Sequence, residues 1–396
     1  MLPFIKRQLE KSFVAALASA NNGTLTMTGP DGKVTRYGSS ARAANANGGV
    51  EADLIVHDWG FLWPVAMKGD IGLAESYIEG QWDTNSIENL IAFFLVNMDA
   101  FEKHAHGNPV RQWLFRLVNN VMRRNSRKGS RANIHAHYDV GNEFYKLWLD
   151  KTMTYSSALY SDDGSKLENA QQAKYQRILE KLEAGTKEIL EIGCGWGGFA
   201  EEAAAQGKQV TAITVSEAQH KFASERLAGK ADVRLQDYRD TKGTFDGIVS
   251  IEMFEAVGER YWPAYFKTIK DRLATNGKAI IQTITIDDKH FEDYKKRSDF
   301  IRHYIFPGGL LPAVTRFKDE AARAGLMCSE PFSFGQDYAR TLREWLSRFD
   351  AAKAQIENMG YDQKFQRSWR FYLAMCAAAF AVNRTDVVQF ELSHAS

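Results

Sequence analysis

Ile189-Leu190-Glu191-Ile192-Gly193-Cys194-Gly195-Trp196-Gly197-Gly198-Phe199-Ala200 is an apolar run that stops at glycines and resumes as a helix. A strand that ends in Gly-x-Gly-x-Gly and passes into the Ala-rich run 200–205 predicts the first strand–loop–helix step of a doubly wound α/β sheet. Without Cβ atoms such a loop lets its backbone approach a ligand closely, and the helix start offers free N–H groups. The expected ligand is a nucleotide-like cofactor. Trp196 crowds the place of a dinucleotide's pyrophosphate, and Glu191, directly before the loop, suits a cationic ligand better than a phosphate. The loop alone therefore favours S-adenosylmethionine (SAM) over NAD, with a purely structural turn as the third reading.

Around this step, strand patterns recur at 209–214, 232–235, 245–251 and 278–285, with helix patterns at 216–229 and 260–274 between them. That alternation means a mostly parallel sheet. Further helices are expected at 167–183, 315–324, 337–358 and 362–382. Upstream, residues 1–21 form a basic amphipathic helix that either packs on its own domain or meets a membrane surface. Gly29-Pro30-Asp31-Gly32 predicts a hairpin, followed by a strand at 53–57 and helices near 62–80 and 86–101. The expected organisation is a small α+β domain over 1–105, a basic amphipathic connector over 106–132, and a Rossmann-like domain over 133–396 with an aromatic lid or substrate wall near 287–312.

The 396 residues carry 50 basic and 49 acidic side chains, a formal charge of +1, so nothing in the bulk electrostatics calls for nucleic acid. The one asymmetry is local: Arg111, Arg116, Arg123, Arg124, Arg127, Lys128 and Arg131 are interleaved with Trp113, Phe115 and Leu117 and no acid. This segment suits an anionic membrane surface, or serves as a connector with a solvated basic face. Cys194, Cys328 and Cys376 lack metal-type spacing, so no metal site is expected and a reducing cytosol is. No stretch approaches the ~20 apolar residues of a membrane span, so lipid would be handled from the water side, peripherally on the cytoplasmic face.

The stretches His137-Tyr138-Asp139-Val140-Gly141-Asn142, Leu190–Gly198, Gln236-Asp237-Tyr238-Arg239-Asp240, Met253-Phe254-Glu255-Ala256-Val257-Gly258 and Tyr304-Ile305-Phe306-Pro307-Gly308-Gly309 together resemble the cyclopropane-fatty-acyl-phospholipid synthase family of SAM-dependent lipid methyltransferases. The likeness runs over nearly the whole chain. Gly72–Asp83 is similar to the family's N-terminal domain, which implies a module that binds lipid or forms a homodimer.

The resemblance implies the class I SAM-dependent methyltransferase fold. It puts Tyr138, Tyr155 and Ser156 over the methionine part of SAM, with Gly193 and Gly195 beneath. Thr214 and Gln219 would hold the ribose and adenosine side, and Tyr238 and Arg239 would lie near the adenine. In ring-forming members a bound bicarbonate is the base, held by a Cys, a Glu, a His and a Tyr. Glu255 and Tyr338 stand at matching positions here, and Ile284 belongs to the same set. Ser157 replaces the cysteine, Gln282 the histidine, and Ala256 a usual histidine after the glutamate.

The implied chemistry is methyl transfer to the double bond of an unsaturated acyl chain in phospholipid, giving a cyclopropane or a methyl-branched or methylene chain. Tyr304, Phe306, Phe334 and Tyr338 offer ring faces to the resulting cation, or serve only as core. Glu252 and Glu255 are three apart: either two close carboxylates, of which one is a base, or Glu252 is solvated. The rival readings are a small-molecule N-methyltransferase and a catalytically silent lipid- or SAM-binding protein.

Overall fold

The computed structural model describes residues 3–39, 49–101 and 140–395. The basic segment 111–131 and Tyr138 lie outside the described residues. The chain packs as two units, each made of three stretches: 1–137, 298–307 and 353–382, and 138–297, 308–352 and 383–396.

The first unit holds a four-stranded sheet ordered β2-β1-β3-β4, from β1 (Gly23–Thr28), β2 (Val34–Ser39), β3 (Glu51–Val56) and β4 (Trp82–Asp83). Strands β1 and β2 close through the expected turn, where the Gly29 N–H donates to Lys33 O and Gly32 takes a φ of +77°. The single helix expected over 62–80 is two, Leu62–Lys68 and Asp70–Ile78, because Gly69 turns to a φ of +63°. The helix Gln363–Ala381 packs on the helices Asp70–Ile78 and Ile87–Val96. Arg367, on its first turns, lies 3.7 Å over the Tyr77 ring and donates to Tyr77 O and Asp83. The aromatic block around 300 joins the same packing: Phe300 meets Phe371 at 5.1 Å, and the Tyr304 hydroxyl donates to Glu75 at 2.7 Å.

The second unit is the α/β sheet. Its parallel part is ordered β9-β8-β5-β6-β7, from β5 (Glu188–Ile192), β6 (Gln209–Thr214), β7 (Asp232–Leu235), β8 (Phe245–Ile251) and β9 (Leu273–Ile286). Period-two alternation sends Leu190, Ile192, Ile248 and Ile281 to one face, under Phe254, Trp262 and Phe317. Ile189, Val210, Val249 and Ile280 go to the other, under Tyr175, Ile178 and Phe199.

The sequence reading missed the antiparallel edge: β10 (Leu326–Cys328), β11 (Phe332–Ser333) and above all β12 (Thr385–His394), which pairs with β9. Val388-Gln389-Phe390-Glu391-Leu392 alternates as a half-exposed strand would, yet residues 387–390 are all buried, Gln389 among them. The helix expected over 337–358 likewise divides, into Gly335–Ala351 and Lys353–Asn358.

Gly72 carries a close approach that glycine alone allows. A Cβ there would sit 1.9 Å from Pro64 O, in the backbone of the neighbouring helix. Gly72→Ala is therefore expected to cost about 1–3 kcal/mol through backbone displacement. Gly69→Ala, with nothing within 4 Å of its Cβ, carries only backbone strain, about 1–3 kcal/mol at φ +63° and ψ −128°. Denaturant melts of the two variants check both losses.

Candidate active site

Glycines shape the loop after β5. Gly193, Gly195 and Gly197 have φ of +83°, +53° and +84°, a region that L side chains avoid. The N–H groups of Gly193 and Cys194 both donate to Ile213 O, which pins the loop to the end of β6. A Cβ on Gly193 would meet Met253 at 2.8 Å, so the backbone there has no room for a side chain. Glu191 is buried and takes the Ala200 N–H, tying the strand end to the helix, and burial pushes its carboxyl up to about 8.

The other residues expected around SAM gather at the C-terminal ends of the parallel strands, where open α/β sheets bind ligands. Thr214 ends β6 and donates to Gln219 Oε1 at 2.9 Å, while Ser216 caps the following helix through Gln219 N–H. Tyr238 meets Tyr265 at 5.5 Å after β7, and Arg239 is clamped by both oxygens of Asp237. The Tyr155 ring lies among Tyr145, Trp148 and Trp345 at 5.4–5.5 Å. Ser156 is committed differently: its hydroxyl accepts from Lys174 Nζ at 2.7 Å and its carbonyl from Gln171.

The expected anion-holding residues do converge, and a side chain of the chain itself stands between them. The Ser157 N–H and Gln282 Nε2 both donate to Glu252 Oε1 at 2.8 Å, and the Tyr338 hydroxyl donates to Oε2 at 2.7 Å. The Ser157 hydroxyl turns away, to Ala158 O. Glu252 is the first residue after β8, with a φ of +50°, and its own N–H donates to Gln282 O. A non-glycine residue in that region costs about 1–2 kcal/mol, a strain typical of functional positions. The solvated reading of Glu252 is excluded, since the residue is partly buried and both carboxylate oxygens accept hydrogen bonds from the protein. Burial pushes its pKa up, and Lys174 and the three hydrogen bonds pull the other way.

Lys174 is itself completely buried and is pushed down to about 7 by burial, against the pull of Glu252, Asp150 and Glu191. It sits on the helix Leu167–Lys181 among Leu167, Ala170 and Ile178. A lysine on an apolar stripe was the readable signal, and the sequence reading missed it.

Glu255 has the opposite environment. The Ile284 N–H donates to its Oε1, while its Oε2 is buried with no hydrogen-bond partner among the described residues. Burial and the nearby Glu252 charge push it up to about 8. The two carboxylates thus differ: one is ringed by three donors with Lys174 near, the other favours its protonated form. Of the four expected cation-facing rings, Phe334 and Tyr338 belong to this unit, and Tyr304 and Phe306 to the other.

The chain matches the family model described as mycolic acid cyclopropane synthetase over residues 125–390. It is 34% identical over 348 residues to a tuberculostearic acid methyltransferase of Mycobacterium tuberculosis, covering 83% of this chain and 80% of that protein. It is 35% identical over 356 residues to the cyclopropane-fatty-acyl-phospholipid synthase of Escherichia coli K12, covering 88% and 89%. A crystal structure of a mycolic acid cyclopropane synthase complexed with SAH and CTAB superposes with a TM-score of 0.61 at 31% identity, over 66% of this chain and 97% of that one.

The Glu255 assignment has a pH signature. Its folded-state pKa is raised above the ordinary 4.5, so stability from this group is fully present below that value and is lost as pH rises toward about 8. Glu255→Gln removes the buried charge, and its melting temperature relative to the native chain is expected to rise between pH 5 and pH 9, by about 1–3 kcal/mol of stability at the alkaline end. Melts across that range check it.

Proposed function

The chain belongs to the mycolic acid cyclopropane synthetase family, and from that premise we propose that it transfers a methyl group from SAM to the double bond of an unsaturated fatty acyl chain in phospholipid, with the Glu252 carboxylate as the base that completes the reaction. Bound SAM supplies an electrophilic sulfonium methyl. Gly195 offers it open space against the backbone, with nothing within 4 Å of where its Cβ would stand, Gly193 is held against Met253 beside it, and Tyr155, Ser156, Thr214, Gln219, Tyr238 and Arg239 are the side chains to hold it. Tyr138 completes the set from outside the described residues.

An isolated alkene has no acidic proton, so no side chain activates it. The protein's task is to hold the double bond in dry, oriented contact with the methyl donor. The alkene's π pair forms the new carbon–carbon bond, leaving a cation on the adjacent carbon. Loss of a proton from the added methyl closes a cyclopropane; loss after a hydride shift leaves a methylene branch. A saturated methyl branch would need a reductant as well. In each proton-losing case the proton goes to a carboxylate oxygen.

The observation that carries this reading is the convergence of Ser157, Gln282 and Tyr338 on Glu252. The positions expected to grip a bound anion grip a resident one. Glu252 is the better base because its donors and Lys174 favour the ionised form, whereas Glu255 favours the protonated form and braces the Ile284 backbone. Bicarbonate then has no necessary role. For such a substrate we also infer peripheral action at the phospholipid surface; among the described residues no helix is long and apolar enough to cross a membrane.

Lipids from cells expressing the protein are expected to gain one CH2 per modified acyl chain by mass spectrometry. Glu252→Gln should lower turnover by about 100-fold or more, the scale of a lost general base, with SAM affinity by calorimetry unchanged. Unmodified lipids would overturn the reaction, and full activity of Glu252→Gln, or strict dependence on added bicarbonate, would overturn the base.

A further inference from the structure

The hydrogen bond from Gln282 to Glu252 is the last link of a longer chain. Gln282 on β9 and Gln389 on β12 are paired in register, at 0% and 1% exposure. Gln389 Nε2 donates to Gln282 Oε1 at 3.0 Å, and Gln282 Nε2 donates to Glu252 Oε1 at 2.8 Å. Behind Gln389, Arg177 Nη1 donates to Gln389 Oε1. Arg177 is half-buried on the helix Leu167–Lys181, with its guanidinium 3.8 Å over the ring of Phe332, the β11 residue paired with Gln389.

A primary amide presents a donor on one side and an acceptor on the other, and exchanges them by a half-turn. Two amides in series have two self-consistent arrangements, with both nitrogens pointing one way or both the other. The ends of the chain decide between them. A guanidinium has donors and no acceptor, and an ionised carboxylate has acceptors and no donor.

We propose that Arg177 is a positioning residue for the methyl transfer: by donating to Gln389 it orients both amides, so that Gln282 presents an N–H and never a carbonyl oxygen to the carboxylate of Glu252. Arg177 lies at the far end of the chain of amides and acts only through them. The proposal rests on the reading of Glu252 as the base. Without the arginine, the half-turned arrangement sets an amide oxygen against the carboxylate, and only a protonated Glu252 accepts that contact. Proton uptake by Glu252 then moves to higher pH.

The groups facing Glu252 besides Gln282 are Lys174 from the helix Leu167–Lys181, Tyr338 from the helix Gly335–Ala351, the Ser157 N–H, and Glu255. Those facing Arg177 are Glu391 on β12 and Glu180 on its own helix. The Lys174 charge and the two other donors are unaltered when Arg177 is replaced, so the shift belongs to the amide chain.

The test is the pH dependence of kcat with SAM and acyl lipid for Arg177→Met, which keeps the stem over Phe332, and for Arg177→Lys, which again offers donors only. Arg177→Met is expected to move the acidic limb up by about one pH unit, with about a tenfold loss of kcat on that limb and little change in the KM for SAM. Arg177→Lys should restore most of both. An unmoved limb in Arg177→Met, or equal defects in the two variants, would overturn the proposal. If Arg177→Met does not fold, Gln389→Met breaks the same chain and must move the limb in the same direction.

Infrared difference spectra taken against Glu252→Gln follow the Glu252 carboxyl band without turnover. An unshifted band in Arg177→Met overturns the positioning claim. A shifted band in a protein whose Glu252→Gln variant stays active supports the positioning claim and overturns only the base.

Discussion

An ionised carboxylate taken out of water is very expensive unless the protein replaces the solvent it lost. Glu252 imposes that requirement on the second unit, and elements distant in sequence answer it. The loop before the helix Leu167–Lys181 gives the Ser157 N–H, β9 gives Gln282, the helix Gly335–Ala351 gives Tyr338, and the buried Lys174 gives a facing charge. Removing any one leaves a polar group buried with part of its solvation missing. The same arrangement that makes the carboxylate tolerable also fixes its direction.

Position and protonation are coupled here through backbone geometry. At the end of β8 the chain turns into a left-handed conformation at Glu252, and three residues later it brings Glu255 under the Ile284 N–H. One short turn therefore places two carboxylates in unlike surroundings. Two like charges so near cannot both ionise freely; burial pushes both carboxyls up, and only Glu252 has three donors and Lys174 pulling the other way. The division of labour follows from the distribution of N–H and O–H groups, since the two side chains are chemically identical.

Much of this was legible in the sequence, and the failures have physical causes. The glycine loop declared itself because Gly193, Gly195 and Gly197 occupy conformations that few other residues accept. Ser157, Gln282, Ile284, Glu255 and Tyr338 were identified as a set through the resemblance; Ser157, Gln282 and Tyr338 meet at Glu252, and Ile284 meets Glu255. Glu252 stayed ambiguous because an acid just after a strand is as often solvated as buried; only the meeting of residues 157, 282 and 338 in space decides. Arg177 and Gln389 were invisible for another reason. Arg177 belongs to a type that usually faces water, and Gln389 occupies a polar place in the alternation Val388–Leu392 that reads as solvent-facing although the residue is buried. The cofactor roles of Tyr155, Thr214, Gln219, Tyr238 and Arg239 remain readings from the resemblance, supported by their place at the strand ends.

The chain's threading bears on how the molecule can be divided. Between Gln282 and Gln389, which must meet to complete the amide chain, the polypeptide leaves the second unit twice, at 298–307 and at 353–382, and returns each time. The second excursion contains the helix Gln363–Ala381, whose Trp369, Phe371 and Leu373 are buried among the first unit's elements. No single cut separates the two units into independent modules. A fragment beginning near residue 140 would carry β12 in place but present that helix's apolar face bare to water. Deletion of the N-terminal sheet would thus act on solubility before it acted on chemistry.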